Sequence, residues 1–320
     1  MTESIHSDAS APGITPEITG GIKPRSARSD FLWSLPQPIL VFGALLLVAT
    51  AATTEWMDVD LLTDILILSP LPVLLVAERL LPKRADWMLD SREYAEDLFW
   101  VLGTFVIWAP IYGDYYDTPI SNAFVWLREA SALPLSLGAE TTGGLVIAAL
   151  IAIFASELIY YWLHRLQHRM MFFWRIHAIH HHITKMGVAR ADRTHPLEFL
   201  ALNIGPVMVL AFLGASDDVV AASLVFRFLA GHINHVNMPL KSGVYGWLFT
   251  TAEQHQLHHS LERQESDRNF GCTVILWDRI FGTFSGKEEV ARIGNGTGKA
   301  LSILTQLSTP FRSNATLRNL

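Results

Sequence analysis

Apolar residues dominate four long stretches of the chain, roughly 36–54, 62–81, 97–113 and 143–163, each bounded by charged or turn-forming residues. About 20 apolar residues carry a helix across the hydrocarbon core, so each stretch is predicted to span a membrane. A fifth stretch, 199–231, divides into two shorter apolar runs around GASDD at 214–218. That pattern predicts a tight helical hairpin, which either crosses thinly or dips partway in. Residues 1–34 are rich in Ser, Pro, Gly and Thr without periodicity and are expected to form a disordered tail. The start is polar where a cleaved signal peptide would have its apolar core. The expected fold is all-α: four transmembrane helices plus a helical hairpin.

Charges flanking these runs assign the two sides of the membrane. Basic residues collect on the cytoplasmic side, so Lys23, Arg25 and Arg28 place the N-terminus inside. Glu55, Asp58, Asp60 and Asp64 mark an outer turn, Lys83, Arg84 and Arg92 an inner one, and Asp114 and Asp117 an outer one again. The fourth stretch then returns to Arg165, Arg169, Arg175, Lys185, Arg190 and Arg193, while Asp217 and Asp218 cap the far end of the hairpin. Everything after 231 is expected to be cytoplasmic, as are both termini.

Composition agrees with a membrane protein. Half of the 320 residues are apolar, 17% are charged, and the mean hydropathy is +0.29. The single cysteine, Cys272, excludes an intramolecular disulfide and a cysteine-based zinc site, so any metal must be held by nitrogen or oxygen. A net charge of −6 gives no basic footprint for nucleic acid.

The chemistry lies in the histidines, because twelve of thirteen fall between His164 and His259. They form HRLQH (His164, His168), HAIHHH (His177, His180, His181, His182), GHINH (His232, His235) and HQLHH (His255, His258, His259). Positions i, i+3 and i+4 of a helix lie within an arc of about 100°, so each H-x-x-H-H presents three imidazoles to one side. His182 stands about 140° round from His177 and is expected outside the array. His195, alone in THPLEF beside a proline, reads as a local hydrogen-bonding residue.

A solvated or tag-like tract would explain one HHH, but not the same spacing repeated with a third pair between. Eight to ten imidazoles exceed what one ion takes, which implies two metals. Imidazole suits zinc, copper, iron and nickel, and ligand type leaves that choice open. The setting narrows it: at the ends of membrane helices a lipid chain or ring could reach the array, and an inert C–H bond calls for a redox metal that activates oxygen.

At these residues the chain resembles the fatty acid hydroxylase and sterol desaturase superfamily of membrane di-iron enzymes. HRLQH, HAIHH, GHINHVN and HQLHH follow the order of that family's histidine motifs. YYWLHRLQH, FFWRIHAIHHH, RTHPLEF, and DRNFG leading to WDRIFGTF are similar to its flanking consensus, with AERLLP at 77–82 a weaker echo. The likeness covers roughly 155–285. It implies a helical membrane fold capped by a cytoplasmic site with two iron ions, O2 as oxidant and two electrons from outside. Carried over by motif, the implied ligands are His164, His168, His177, His180, His181, His255, His258 and His259. HVN at 235–237 favours His235 in the middle region, with His232 three residues earlier beside it. The implied division is a transmembrane region at 35–142, a catalytic domain at 143–285 and a C-terminal tail at 286–320.

Ligating imidazoles usually give their other N–H to a carboxylate or carbonyl, which makes Glu157, Glu198, Asp267, Asn269 and Asp278 candidates to support the site. Each could equally be a helix cap or a partner for an arginine such as Arg165 or Arg279. Arg165 and Arg193 could hold lipid phosphate or anchor the interface. GNGTGK at 294–299 fails the phosphate-loop pattern, which needs Gly where Ile293 stands and Ser or Thr where Ala300 stands. No dinucleotide fingerprint or cysteine set for an iron–sulfur cluster occurs, so electrons are expected from a separate ferredoxin or cytochrome b5-like protein with its reductase. The expected activity is hydroxylation of a membrane lipid, with desaturation on the same site as the alternative. A metal transporter would carry its ligands at mid-membrane depth, whereas the histidines sit mainly at helix ends and beyond, and Glu78, near the end of the second span, is an isolated acid able to snorkel out. A zinc hydrolase would act without oxygen.

Overall fold

The computed structural model describes residues 26–294 and 299–319; Lys23, Arg25 and residues 295–298 of GNGTGK lie outside them. Helices α1 (Ala27–Trp33), α2 (Pro36–Thr54), α3 (Val59–Leu68), α4 (Pro70–Leu80) and α5 (Ser91–Leu102) are followed by α6 (Ala109–Tyr112) and α7 (Thr118–Ala130). Then come α8 (Thr142–Arg169), α9 (Met171–His181), α10 (Pro196–Leu202), α11 (Ile204–Leu213) and α12 (Asp217–His235). Short helices α13 (Ala252–His258), α14 (Arg263–Ser266), α15 (Leu276–Ile280), α16 (Ile303–Ser308) and α17 (Asn314–Asn319) complete the chain. No strand occurs among the described residues. Helix α1, capped by the Ser26 side chain, lies within the stretch 1–34 expected to form a tail.

Among the described residues four helical stretches are long and apolar enough to cross a membrane: Ala27–Thr54, Val59–Leu80, Thr142–Arg169 and Pro196–Leu213. Three coincide with the expected spans, and the fourth is the first arm of the hairpin rather than 97–113. That stretch is helical but belongs to a longer run with two π-helical segments, Gly103–Trp108 and Gly113–Asp117, around Pro110. Proline lacks an N–H and crowds the preceding turn, and a widened turn accommodates it. Tyr112, Asp114 and Tyr115 dilute its apolar character further. The hairpin forms as the pattern predicts: Gly214, at φ 66°, ends α11 and the Ser216 side chain caps α12.

Helix α12 is the axis of the bundle, with α2 and α8 packed along it. Val41, Leu45 and Val48 of α2 meet Ala148, Ala149 and Ala152 of α8 and Val219, Ala222, Val225 and Phe226 of α12 in one buried core. The alanines let the backbones approach closely, as membrane bundles require. Outward faces are apolar too, with Ile39, Leu46, Val73, Ile147 and Ile151 exposed. This is the surface of a membrane protein, in which lipid rather than water is the solvent.

At about 1.5 Å per residue, the 28 residues of α8 reach about 42 Å, beyond a hydrocarbon core of about 30 Å. Its last turns therefore leave the membrane and carry His164 and His168 into a cap built from α9, α13 to α15 and the intervening loops. Glu78 does not snorkel. Its carboxylate is buried and accepts the Val188 N–H at 3.0 Å and the Asn237 N–H at 3.1 Å, fastening two cap loops to the end of α4.

Candidate metal centre

Each histidine motif is positioned by the end of a helix, and the ends converge. The structure brings nine of the ten predicted residues into two groups: His164, His168, His177, His181 and His258 in one, and His180, His235, His255 and His259 in the other. Within each group the potential ligand atoms all lie within 4.8 Å of one another. The groups adjoin, since the His181 and His259 rings stack at 4.6 Å. Each H-x-x-H-H motif is shared between them. HAIHH sends His177 and His181 one way and His180 the other, while HQLHH sends His258 to the first group and His255 and His259 to the second.

His232 goes elsewhere. Its Nε2 lies 3.0 Å from the Asp192 carboxylate, its Nδ1 meets the Phe228 carbonyl, and it joins neither group. His182 is buried outside both groups, and His195 caps α10, with Nδ1 accepting the Leu197 N–H.

Hydrogen bonds on the far side of the rings fix what the near side offers. His164 Nδ1–H donates to the Phe270 carbonyl at 2.6 Å and His258 Nδ1–H to the Arg268 carbonyl at 2.8 Å. His177 Nδ1–H donates to Glu198 at 2.5 Å. Backbone carbonyls only accept, so His164 and His258 carry their proton on Nδ1 and present a lone pair at Nε2. Burial, reinforced by neighbouring imidazoles, holds His177, His181, His255, His258 and His259 well below the ordinary histidine range, and His180 is pulled down to about 3. The rings are thus neutral.

The Nε2 atoms nevertheless face each other closely. His164 Nε2 is 3.0 Å from His177 Nε2 and 3.1 Å from His258 Nε2. His235 Nε2, whose Nδ1–H donates to the Gly231 carbonyl, is 3.1 Å from His255 Nε2 and 3.3 Å from His180 Nε2. The lone pairs of His164 and His258 meet with no proton between them, an arrangement a buried cation relieves. Nitrogens about 2.1 Å from one ion lie about 3.0 Å apart at 90° and about 3.4 Å apart at the tetrahedral angle. The residues fit metal ions, and the closest spacings fit right-angle neighbours.

Among the supporting candidates, Glu198 orients His177, and Asp267 stands 3.6 Å from His168 Nδ1. Asp278 acts one step back. It accepts the Phe270 and Gly271 N–H groups and the Thr283 hydroxyl, holding the loop whose carbonyl orients His164, and burial pushes it up to about 6. Asn269 pins the same loop through Gln254 and Ser285. Glu157 touches no histidine: it pairs with Arg227 at 3.0 Å and accepts the Thr273 N–H.

The expected basic face is largely internal. Arg193 pairs with Asp97 and Glu96, Arg190 with Asp97 and Glu93, and Lys185 with Glu93, so Arg193 is not free for lipid phosphate. Arg165 donates to the Tyr161 hydroxyl and lies over Trp162. Sequence reading missed the carbonyls of Phe270, Arg268 and Gly231, which carry no side-chain signal. It also missed the role of Asn237, whose side-chain amide pairs with the Arg84 backbone.

Residues 149–283, which contain all nine gathered histidines, match the fatty acid hydroxylase family. The chain is 27% identical over 263 residues to the ornithine lipid hydroxylase OlsE of Rhizobium tropici, covering 78% of this chain and 75% of that protein. It is 30% identical over 130 residues to human alkylglycerol monooxygenase, covering 41% of this chain and 29% of that protein. To rat methylsterol monooxygenase 1 it is 32% identical over 126 residues, covering 39% and 42%. It thus spans less than half the length of these last two. No solved structure matches. The histidine-rich cap, together with these relatives, is that of an oxidoreductase. Over residues 149–283 the chain is similar to the fatty acid hydroxylase family, in line with the resemblance that its histidine motifs carry.

Proposed function

We propose that this chain is a di-iron oxygenase that uses O2 and two externally supplied electrons to hydroxylate a C–H bond of a membrane lipid. The observation that carries the reading is the pair of adjoining groups, five and four buried neutral imidazoles, at the point where α8 leaves the membrane. Five donors exceed zinc's usual four, and right-angle spacings suit a metal of higher coordination such as iron. His164, His168, His177, His181 and His258 would hold one ion, and His180, His235, His255 and His259 the other. When bound, iron supplies the redox chemistry that an unactivated C–H bond requires.

The protein residues position and exclude. Glu198 and the Phe270 and Arg268 carbonyls fix ring orientation by holding the Nδ1 protons of His177, His164 and His258. Phe270 and Trp174 pack against the histidine rings and keep bulk water off them. The apolar faces of the bundle let substrate arrive from the lipid. The matched relatives' names include an ornithine lipid, an alkylglycerol and a methylsterol, all lipids, and the ornithine lipid hydroxylase aligns with most of this chain. An amino-acid-containing lipid is therefore the first substrate to test.

The catalytic unit in this reading is 143–285, and the basic residues flanking the expected spans support a cytoplasmic cap. The electrons come from a ferredoxin or cytochrome b5-like carrier. Lipid mass spectrometry on cells expressing the intact chain or His181→Ala, with and without oxygen, tests the function. A lipid that gains one oxygen atom only with the intact chain and only in air is the expected result. A lipid losing two hydrogens would make it a desaturase, and purified active protein lacking iron would overturn the reading.

A further inference from the structure

Two segments of the cap expose large apolar side chains that no described residue covers. In the loop 241–249, Val244 is 88% and Trp247 66% exposed, with Leu248 also exposed; in α15 and the next residue, Ile280 is 57% exposed and Phe281 is exposed as well. The segments form one surface. The Leu276 N–H donates to the Leu248 carbonyl, and the Arg279 guanidinium lies 4.6 Å over the Trp247 ring while donating to the Gly246 carbonyl. A patch of this kind marks a partner or a membrane.

Its contacts fix its depth. The Lys241 N–H donates to the Trp33 carbonyl at 3.0 Å, and Gly243, at φ 51°, sits so close to Ser34 that a Cβ would overlap it. The loop is thereby tied to the junction of α1 and α2, within the span Ala27–Thr54. On the other side the Trp277 indole donates to the Phe154 carbonyl at 3.1 Å, and Phe281 packs 5.0 Å from Trp162. Phe154 and Trp162 belong to α8, whose outward face at Ile147 and Ile151 is lipid-facing, and Trp277 closes an apolar groove lined by those residues. The patch is therefore continuous with the membrane-spanning surface.

We propose that the 243–248 loop and the 276–281 segment are seated in the headgroup layer of the leaflet below the cap, as an interfacial wedge. Tryptophan is favoured at that depth, and Arg279 and Arg165 beside the patch suit anionic headgroups. The inference rests on the membrane reading of the bundle but not on metal or turnover. The wedge would hold the cap tilted against the membrane, so that a lipid need not leave the bilayer to approach the histidines.

The test places a nitroxide at Val244→Cys in the full chain, reconstituted in vesicles of phosphatidylcholine and phosphatidylglycerol. The signal from Cys272 is subtracted using labelled unmutated protein. Ile151→Cys serves as the in-span reference and Glu262→Cys as the water-side reference. Collision with oxygen relative to a water-soluble nickel chelate at Val244→Cys is expected to exceed that at Glu262→Cys about tenfold and to approach Ile151→Cys. A ratio equal to that of Glu262→Cys puts the loop in water and overturns the wedge. Protection from both reagents means protein covers it, a second copy of this chain included, and overturns it too. If Ile151→Cys itself reads as water, the membrane reading fails instead, a distinct outcome.

Discussion

The two histidine groups are built from the same motifs yet are held differently. In the first, His164, His177 and His258 each give their Nδ1 proton to a fixed acceptor, and Asp267 stands near His168. In the second, His235 donates to the Gly231 carbonyl, while Nδ1 of His255 and of His259 has no partner among the described residues. Rings held from behind cannot turn away from an ion, and rings held only by packing can. The first group is the rigid anchor and the second the yielding half. That difference suits a site in which one position must change its contacts as oxygen and substrate come and go.

The largest effect tests whether both halves are needed. His258→Ala and His255→Ala each remove one donor, and each is expected to lower lipid hydroxylation by more than about 100-fold, measured by product mass spectrometry. Substantial activity in either variant would mean that one group is dispensable. Next comes the asymmetry itself. Timed exposure of the iron-loaded protein to a chelator is expected to release metal in two phases, the faster from the second group. Metal analysis of His255→Ala should show the fast phase missing. A single phase would make the two groups equivalent.

Glu198→Gln sharpens the same contrast from the rigid side. The amide oxygen still accepts the His177 Nδ1–H, but an amide cannot ionise and so cannot supply the charge-assisted bond that a carboxylate would give a metal-bound imidazole. Metal affinity or activity is expected to fall about 10- to 100-fold, read by competition with a chelator of known strength. Unchanged affinity would remove Glu198 from the support of the site. Glu78→Ala acts on the frame around the groups instead. It strands the buried N–H groups of Val188 and Asn237, at about 1–3 kcal/mol each, and should lower the unfolding temperature of detergent-solubilised protein while the iron content survives.

Much of this was legible because membrane spans and histidine spacing are local patterns. Three spans, the hairpin and nine gathered histidines follow from runs and intervals. What was not legible depends on partners far along the chain. Spacing puts His177, His180 and His181 on one helix face, but the next helix end decides that His180 faces His235 while His181 faces His258. His232 has the same i, i+3 relation to His235 as any ligand pair, and the Asp192 carboxylate takes it instead. Glu78 looks like a snorkelling acid until the two loops it fastens are folded over it. The stretch 97–113 has the apolar content of a span, and Pro110 with its flanking glycines turns it into a π-interrupted helix.

The smallest predicted effect guards the boundary of the comparison. His182 follows His181 directly and extends the tract to HHH, yet it stands about 140° round the helix from His177. It is buried outside both groups, and burial pulls it down to about 4, so it too is a neutral ring. A neutral buried imidazole with no place among the convergent nitrogens contributes packing alone. His182→Ala is expected to cost about 1 kcal/mol of stability and to leave iron content and hydroxylation within about twofold of the unmutated protein. If it instead loses metal as His181→Ala does, proximity in sequence outweighs direction in space, and the division of the histidines into a rigid five and a yielding four would have to be redrawn.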